Sequence, residues 1–539
     1  MRRILVLAIV AMVLASLTPA GHTEKKTLMI VRVAVTDAAQ ANDLMTNFDE
    51  THNHSASEIE ILAYPGDIAR LEARGYEYRI VINDLIAHDQ KLASEAEDIL
   101  VPLPGPDRDD YRVLSDYNTE MQALAKKNPK LVKLVRGPNP TLEGRTVYGV
   151  EIAANVKKQD GRPTMYIDGI HHAREWPAGE YPMIFAHYLV ENFGKNKAVT
   201  KVLKNERILI VPIVNPDGFD YSRSSPTGAQ QNVDGVVGTP CGLGGCESYW
   251  RKNRRSFTGV TVPAANKNPD AYGVDPNRNY SFKWGGPGAS GDETSQTHYG
   301  AAPFSEPESK NVEQLVLARN VTSLISNHTS GRLVLRPWGD TFLNAPGEKY
   351  LFKLGAKYSK AMGGYSNIKG MQLYATTGTT SDWGYGTLGI PSYTFEHGTS
   401  FHPPYADCAK DCVGKQWKNV MKAYLIGAKA GLDRDAHSVI TGKVAGGNAK
   451  LTLTHKIATP ITLEQNGKKT YTETLKTSMV TAKNGKFTWD VPPSIRPPLP
   501  GMKAKVEKYK LTITGKGGKT TKSFVARSGQ KVNLGKVRL

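Results

Sequence analysis

The sequence predicts an α/β chain whose central sheet is covered by helices on both faces, with a small α+β unit before it and an all-β sandwich after it. Three observations carry that reading. Apolar runs of strand length alternate with helix-periodic segments through the middle of the chain, the pattern of a sheet packed between two helix layers. Beyond residue 439 the helical periodicity stops, and short alternating strands follow one another with Gly and Asn-Gly turns. A length of 539 residues also exceeds what one hydrophobic core organises, so two or three domains are expected.

From the N-terminus, residues 1–20 read as a secretory signal: Arg2 and Arg3 precede an apolar run from Ile4 to Leu17, and Thr18-Pro19-Ala20 offers small residues for cleavage. The run is short for a membrane span and no other approaches that length, so the mature chain is expected to be exported, extracellular or periplasmic; an N-terminal anchor is the alternative. Residues 21–105 form the α+β unit, with strands at 29–35, 59–63 and 78–82 and helices at 39–48 and 68–75, the second closing on Gly75. Glu95-Ala96-Glu97-Asp98 and Pro104-Gly105-Pro106 belong to an acidic, proline-rich stretch with the composition of an exposed linker, where proteolysis is easiest.

Residues 106–434 hold the α/β domain. Helices are expected at 111–127, 180–193, 306–319, 349–362 and 416–429, and strands at 147–153, 165–170 and 207–214, the last fully buried. Ligands of such a fold lie beyond strand ends. Residues 224–245 are rich in glycine and small polar residues and read as a long surface loop. The four cysteines fall in two tight pairs, Cys241/Cys246 and Cys408/Cys412, which suits small disulfide loops in an oxidising compartment; a zinc site made from all four lacks the usual Cys-x-x-Cys spacing.

Residues 437–539 form the sandwich, with strands at 451–454, 486–490, 509–514 and 523–526, and are expected to be dispensable for cleaving small substrates. They carry 20 basic and 4 acidic residues, a net +16 of the whole chain's +18. Such a surface attracts anionic polymers or membranes, while a lysine-rich solvated face with no dedicated partner is the plainer reading.

Chemistry concentrates after the strand at 165–170. Asp168-Gly169-Ile170-His171-His172-Ala173-Arg174-Glu175 sets an imidazole and a carboxylate three positions apart, as a strand-end turn presents two metal ligands. A catalytic zinc needs a third ligand from elsewhere, and His328, at the end of the apolar run 321–325, is the best candidate. One His-x-x-Glu pair is weak evidence in a chain this long, so the surroundings decide.

In order along the chain stand His172-Ala173-Arg174-Glu175, Trp250-Arg251-Lys252-Asn253-Arg254, Val274-Asp275-Pro276-Asn277-Arg278-Asn279, His328, Tyr374 and Glu396. This series closely resembles the zinc metallocarboxypeptidases of the carboxypeptidase A and T type, over roughly residues 110–430. The resemblance implies a mixed central sheet, and in position and pattern residues 21–105 resemble the pro-segment that shields the active site until it is cut away, with an accessory domain that stays attached as the alternative; the tail's own strand pattern resembles the transthyretin-like or carboxypeptidase-regulatory modules. It implies one Zn²⁺ held by His172, Glu175 and His328, and hydrolysis of C-terminal residues from peptide or protein substrates by an activated water. Glu396 matches the general base and Arg251 the oxyanion stabiliser. Arg278, helped by Asn277 and Tyr374, matches the anchor for the free α-carboxylate, and Arg174 a contact further from the cut. Asp275 is expected to orient the His172 ring, with His171 and His397 as bystanders.

Leu335, Gly339, Thr376, Thr379, Thr380, Ser381 and Thr394 are expected to line the side-chain pocket. Ser381 stands where members selective for Lys and Arg place an Asp, so a neutral, apolar or mixed preference is expected, with Lys369 near the edge able to accept acidic residues. Ser330 stands where an aromatic residue is common. A cell-wall amidase and a catalytically dead binding module are the alternatives; Asn277, Arg278 and Tyr374 argue against the first, and the full set of ligands and base against the second.

Overall fold

The computed structural model describes residues 27–55, 57–95, 103–223, 246–256, 273–410, 412–496 and 505–539. The signal-like segment, much of the linker, the loop at 224–245 and the Cys241 half of the first cysteine pair lie outside them. Cys408 and Cys412 form a disulfide.

The first unit runs β1 (Met29–Ala34), α1 (Ala38–Asn47), β2 (Asp49–His54), β3 (Glu58–Ala63), α2 (Pro65–Ala73), β4 (Tyr78–Ile82) and α3 (Leu85–Glu95). Its strands form an antiparallel sheet in the order β2-β3-β1-β4. Alternation in β1 and β3 turns Val31, Val33, Ile59 and Ile61 onto Leu44 and Leu71 of the helices. Asp37 starts α1 by accepting from the Ala39 and Gln40 amides. Strand β2 has no apolar alternation, and sequence periodicity did not reveal it.

The middle of the chain contributes α4 (Leu114–Lys127), β5 (Val132–Arg136), β6 (Tyr148–Ile152), β7 (Thr164–Gly169), α5 (Trp176–Asn192), α6 (Lys197–Asn205), β8 (Arg207–Val211) and α7 (Pro216–Arg223). It continues with α8 (Pro307–Leu317), β9 (Val321–Thr329), β10 (Leu333–Arg336), α9 (Glu348–Ala361), β11 (Ser366–Lys369), α10 (Gly370–Leu373), α11 (Thr380–Leu388), β12 (Ser392–His397), α12 (Tyr405–Lys410) and α13 (Val413–Gly431). Eight strands make one mixed sheet in the order β11-β10-β12-β9-β7-β8-β6-β5. The run β12-β9-β7-β8 is parallel, and β6 is antiparallel to β8. Every residue of β7, β8, β9 and β12 is buried, which is why β8 reads as a continuous apolar run, while the polar residues of β9 and β12 are enclosed as well. Leu324 lies against Gly384 of α11 and its neighbour Ile325 against Gly427 of α13, so these two helices cover opposite faces.

The remaining strands are β13 (Ser438–Val444), β14 (Lys450–Gln465), β15 (Lys468–Val480), β16 (Lys486–Val491), β17 (Tyr509–Gly515), β18 (Gly518–Phe524) and β19 (Lys531–Val537). They form two sheets, β16-β13-β19 and β15-β14-β17-β18. Asn466-Gly467, with φ of 51° and 73°, closes the long β14-β15 hairpin in the left-handed geometry such tight turns need. The sandwich is docked on the α/β domain rather than tethered to it. The Thr462 amide donates to the Trp284 carbonyl at 3.0 Å, Gly161 bridges to Trp489, and the buried apolar clusters of both parts run into one another. Glu473 of β15 is buried in the contact, accepting from Ser281 Oγ, Trp383 Nε1 (2.9 Å) and Thr459 Oγ1 (2.9 Å). Among the described residues no helix is long and apolar enough to cross a membrane.

Candidate active site and metal centre

Strands β7, β9 and β12 are parallel neighbours, so their C-terminal ends open on one side of the sheet. Gly169 ends β7 where a Cβ would stand 2.3 Å from the Ala178 carbonyl oxygen, so only glycine lets α5 begin this close. The next residue, Ile170, takes a left-handed φ of 47° and turns the chain so that His172 and Glu175 precede α5. His328 is near the end of β9 and pairs in register with Glu396 of β12.

The side chains converge. His172 Nδ1 is 2.6 Å from Glu175 Oε1, His328 Nδ1 is 2.9 Å from Glu175 Oε2, and the two Nδ1 atoms are 3.2 Å apart. All three residues are buried, and they are the one group among the described residues whose His, Cys, Asp or Glu donors could hold a metal ion. Two imidazole nitrogens and a carboxylate, turned to a common point rather than to separate partners, fit a divalent zinc-type ion with an open position. Asp275 Oδ1 lies 3.2 Å from His172 Nε2, as a carboxylate that orients a ligating ring does. Burial would raise the Asp275 carboxyl, but Arg251, His172 and Arg278 hold it well below the usual carboxylate range.

Arg251 is buried with its Nη2 2.8 Å from Asp275 Oδ2, which ties it to the His172 side of the site. Asn277 donates toward His328 Nε2 at 3.4 Å, and its side-chain Oδ1 accepts from the Thr380 amide at 2.9 Å. Arg278 is buried and held by the Gly288 and Asn277 carbonyls, leaving its Nη2 without a partner. The Tyr374 ring stands 5.9 Å from the Arg278 guanidinium. A cavity of about 40 Å³ joins these groups, bounded by His172, His328, Asn277, Arg278, Tyr374 and Glu396 and, deeper in, by Ser381 and its neighbours.

Most of the expected pocket residues line that cavity: Leu335, Gly339, Thr376, Thr379, Ser381 and Thr394. Thr380 is not among them, because its hydroxyl turns to Asn277 and His171. Lys369 also points elsewhere, held by the Phe342 carbonyl and Asn344 Oδ1 at 2.7 Å each. Asp382 joins the lining, accepting from the Gly339 amide at 2.9 Å; burial, reinforced by Asp340, pushes its carboxyl up to about 7. His171 bonds the Tyr280 hydroxyl at 2.7 Å and His397 bonds Asn327 at 3.0 Å, so both are engaged in packing.

Glu396 is buried with Oε2 unbonded. Burial pushes its carboxyl up to about 7, with Glu175 and Glu50 adding to the rise and His52 and His328 opposing it. Two of those names come from the first unit, because β2 enters the site. His52 Nε2 lies 3.0 Å from the Tyr374 hydroxyl, its Nδ1 accepts from the Ser330 amide at 3.3 Å, and Glu50 sits 3.1 Å behind it. Asp49 receives the Arg174 guanidinium, one contact at 2.7 Å. No sequence signal marked Asp49, Glu50 and His52; a polar run too short of apolar residues for its own core was the available hint.

Residues 117–415 match the zinc carboxypeptidase family, peptidase M14. Carboxypeptidase A1 of Rattus norvegicus is 28% identical over 339 residues, which cover 61% of this chain and 73% of that one. Carboxypeptidase A1 of Mus musculus is 27% identical over 421 residues, covering 74% and 91%. The solved carboxypeptidase A of Helicoverpa armigera shares the fold at a TM-score of 0.60 and 22% identity, over 76% of this chain and 99% of that one. With the family's zinc fitted by the His172, Glu175 and His328 donors, the chain is a metallocarboxypeptidase and belongs to the zinc carboxypeptidase family.

Proposed function

We propose that the chain is a secreted carboxypeptidase that removes neutral, apolar or mixed C-terminal residues from peptides and proteins, made as a precursor whose first unit blocks the site. The observation that carries this reading is the unpartnered Nη2 of buried Arg278, facing a cavity that also holds His172, His328 and Glu396. A buried guanidinium short of an acceptor calls for an anionic partner, and a peptide's terminal carboxylate matches its planar fork. Tyr374 and Asn277 flank that anchor.

When bound, zinc supplies a Lewis acid and a water of lowered pKa. Glu396 takes a proton at Oε2 and returns it to the departing amine. Arg251, oriented by Asp275, stabilises negative charge developing on the scissile carbonyl oxygen. The threonine and serine hydroxyls around Ser381 receive the terminal side chain, and Asp382 at the wall is turned to the Gly339 amide with its carboxyl raised by burial. Arg174 contacts the substrate beyond the cut once Asp49 leaves it. Export is supported by the signal-like residues 1–20 and by the Cys408–Cys412 disulfide.

The test uses purified chain cut by limited proteolysis between residues 95 and 103, assayed on N-blocked dipeptides with apolar, basic and acidic ends. Release of apolar and small polar residues well ahead of Lys, Arg or Asp is expected, with activity lost to a chelator and restored by one zinc per chain. Preferred release of basic residues would overturn the proposed selectivity.

A further inference from the structure

We propose that the outer face of the β15-β14-β17-β18 sheet is a docking surface for a linear acidic polysaccharide, bearing carboxylate or sulfate groups. Strand register places the residues. Lys476, Thr454 and Lys510 lie side by side across three strands, and so do Lys450, Thr514 and Lys519, while Lys456 continues β14 on the same face. All five lysines are exposed, and the alternate residues of β14, such as Leu451, Leu453 and Ile457, point into the sandwich. Among the described residues in register with 450–460 of β14, no Asp or Glu stands on this face: Glu473 points inward, the exposed Glu464 lies beyond the register break near the hairpin turn, and Glu313, which lines a shallow cleft with Lys476, is paired to Lys310.

The spacing selects a polymer over a small ion. Lysines two strands apart are about 10 Å from one another, and Lys450 and Lys456 about 20 Å apart along β14. A single anion meets one such ammonium, and at physiological salt the others lie a Debye length or more away, about 8 Å. A chain with repeated charges engages several at once and gains by multivalency.

Surface chemistry then selects the kind of polymer. Between the lysines stand Thr and Ser hydroxyls, each able to donate and accept, and of these Thr452 and Ser478 bond each other at 3.1 Å. A polyol backbone meets such groups at every step. Bases would need aromatic platforms or guanidinium forks, and the face carries neither. A bilayer would need large apolar anchors, and among the paired residues of this face only Val480 is one, beside the half-buried Ala458 and Pro460.

The full chain is tested by biosensor against polygalacturonate, dextran sulfate, neutral dextran and double-stranded DNA of matched charge, at several salt concentrations. Lys450→Gln/Lys476→Gln/Lys510→Gln is compared with Lys353→Gln/Lys357→Gln/Lys360→Gln on exposed α9, which removes the same net charge. The wild type is expected to bind at least one acidic polysaccharide and not neutral dextran. The sheet variant should lose roughly tenfold or more in affinity and flatten the salt dependence by about two contacts, with the α9 variant within about twofold of wild type. Equal losses in both variants, DNA binding as tight as polysaccharide, or no polysaccharide binding would each overturn the proposal. Unchanged thermal melting of both variants confirms that folded proteins are compared.

Discussion

Glu396 is a carboxylate taken out of water and left with one oxygen unbonded, which keeps it poised to gain a proton near neutral pH. Glu396→Gln preserves volume and removes that capacity. Turnover should fall by about 10²- to 10⁴-fold while zinc content by atomic emission stays at one per chain; near-normal turnover would reassign the base. Arg278→Ala should lower kcat/KM on peptides with a free terminus by roughly 30-fold or more and leave C-terminally amidated peptides little changed, since a buried charge pair costs a few kcal/mol to break. An equal loss on both substrates would count against the anchor. The ligands were legible in the sequence because spacing and strand-end position are local features, as with His172 and Glu175. His328 was a candidate by its place after an apolar run, and it and Arg278 were secured only by the order of distant motifs. His52 was illegible, since nothing around it says which surface a polar strand will meet.

Among the elements, β15 shows why the tail was only partly readable. Its inward side presents Glu473 and Thr477 among Tyr471, Leu475 and Met479, which interrupts the apolar alternation that marks a strand. That inward carboxylate has a thermodynamic signature. Burial, with Glu313 nearby, pushes Glu473 up to about 7 from an ordinary 4.5, against the hydrogen bonds it accepts. Below about pH 4 both folded and unfolded chains hold the proton and nothing is lost. Between about 4.5 and 7 the unfolded chain releases it while the folded one keeps it, so stability falls as pH rises, by on the order of 3 kcal/mol in all. Glu473→Gln should remove that share: the drop in Tm from pH 5 to 7.5 should be smaller than in the wild type. Equal drops would show that the group is not held protonated.

At the scale of the whole molecule, the first unit rests on the α/β domain through a small apolar cluster, Leu28, Ile30, Leu62 and Leu85 against Phe401, together with the polar insertion of β2. On the proposed reading of this unit as a pro-segment, a cut in the linker removes the chain continuity that helps hold it in place. Asp49→Ala/His52→Ala in the uncut chain should raise hydrolysis of a blocked dipeptide by about tenfold or more, and cleavage should raise it further. No gain in either case would place the block elsewhere. The sandwich is bound differently, because Glu473 grips Trp383 of α11, two residues beyond Ser381 in the wall of the side-chain cavity. Neither part can therefore drift without tugging on the other, and on the proposed reading a disturbance far out in the β module is relayed to the wall that meets the released amino acid.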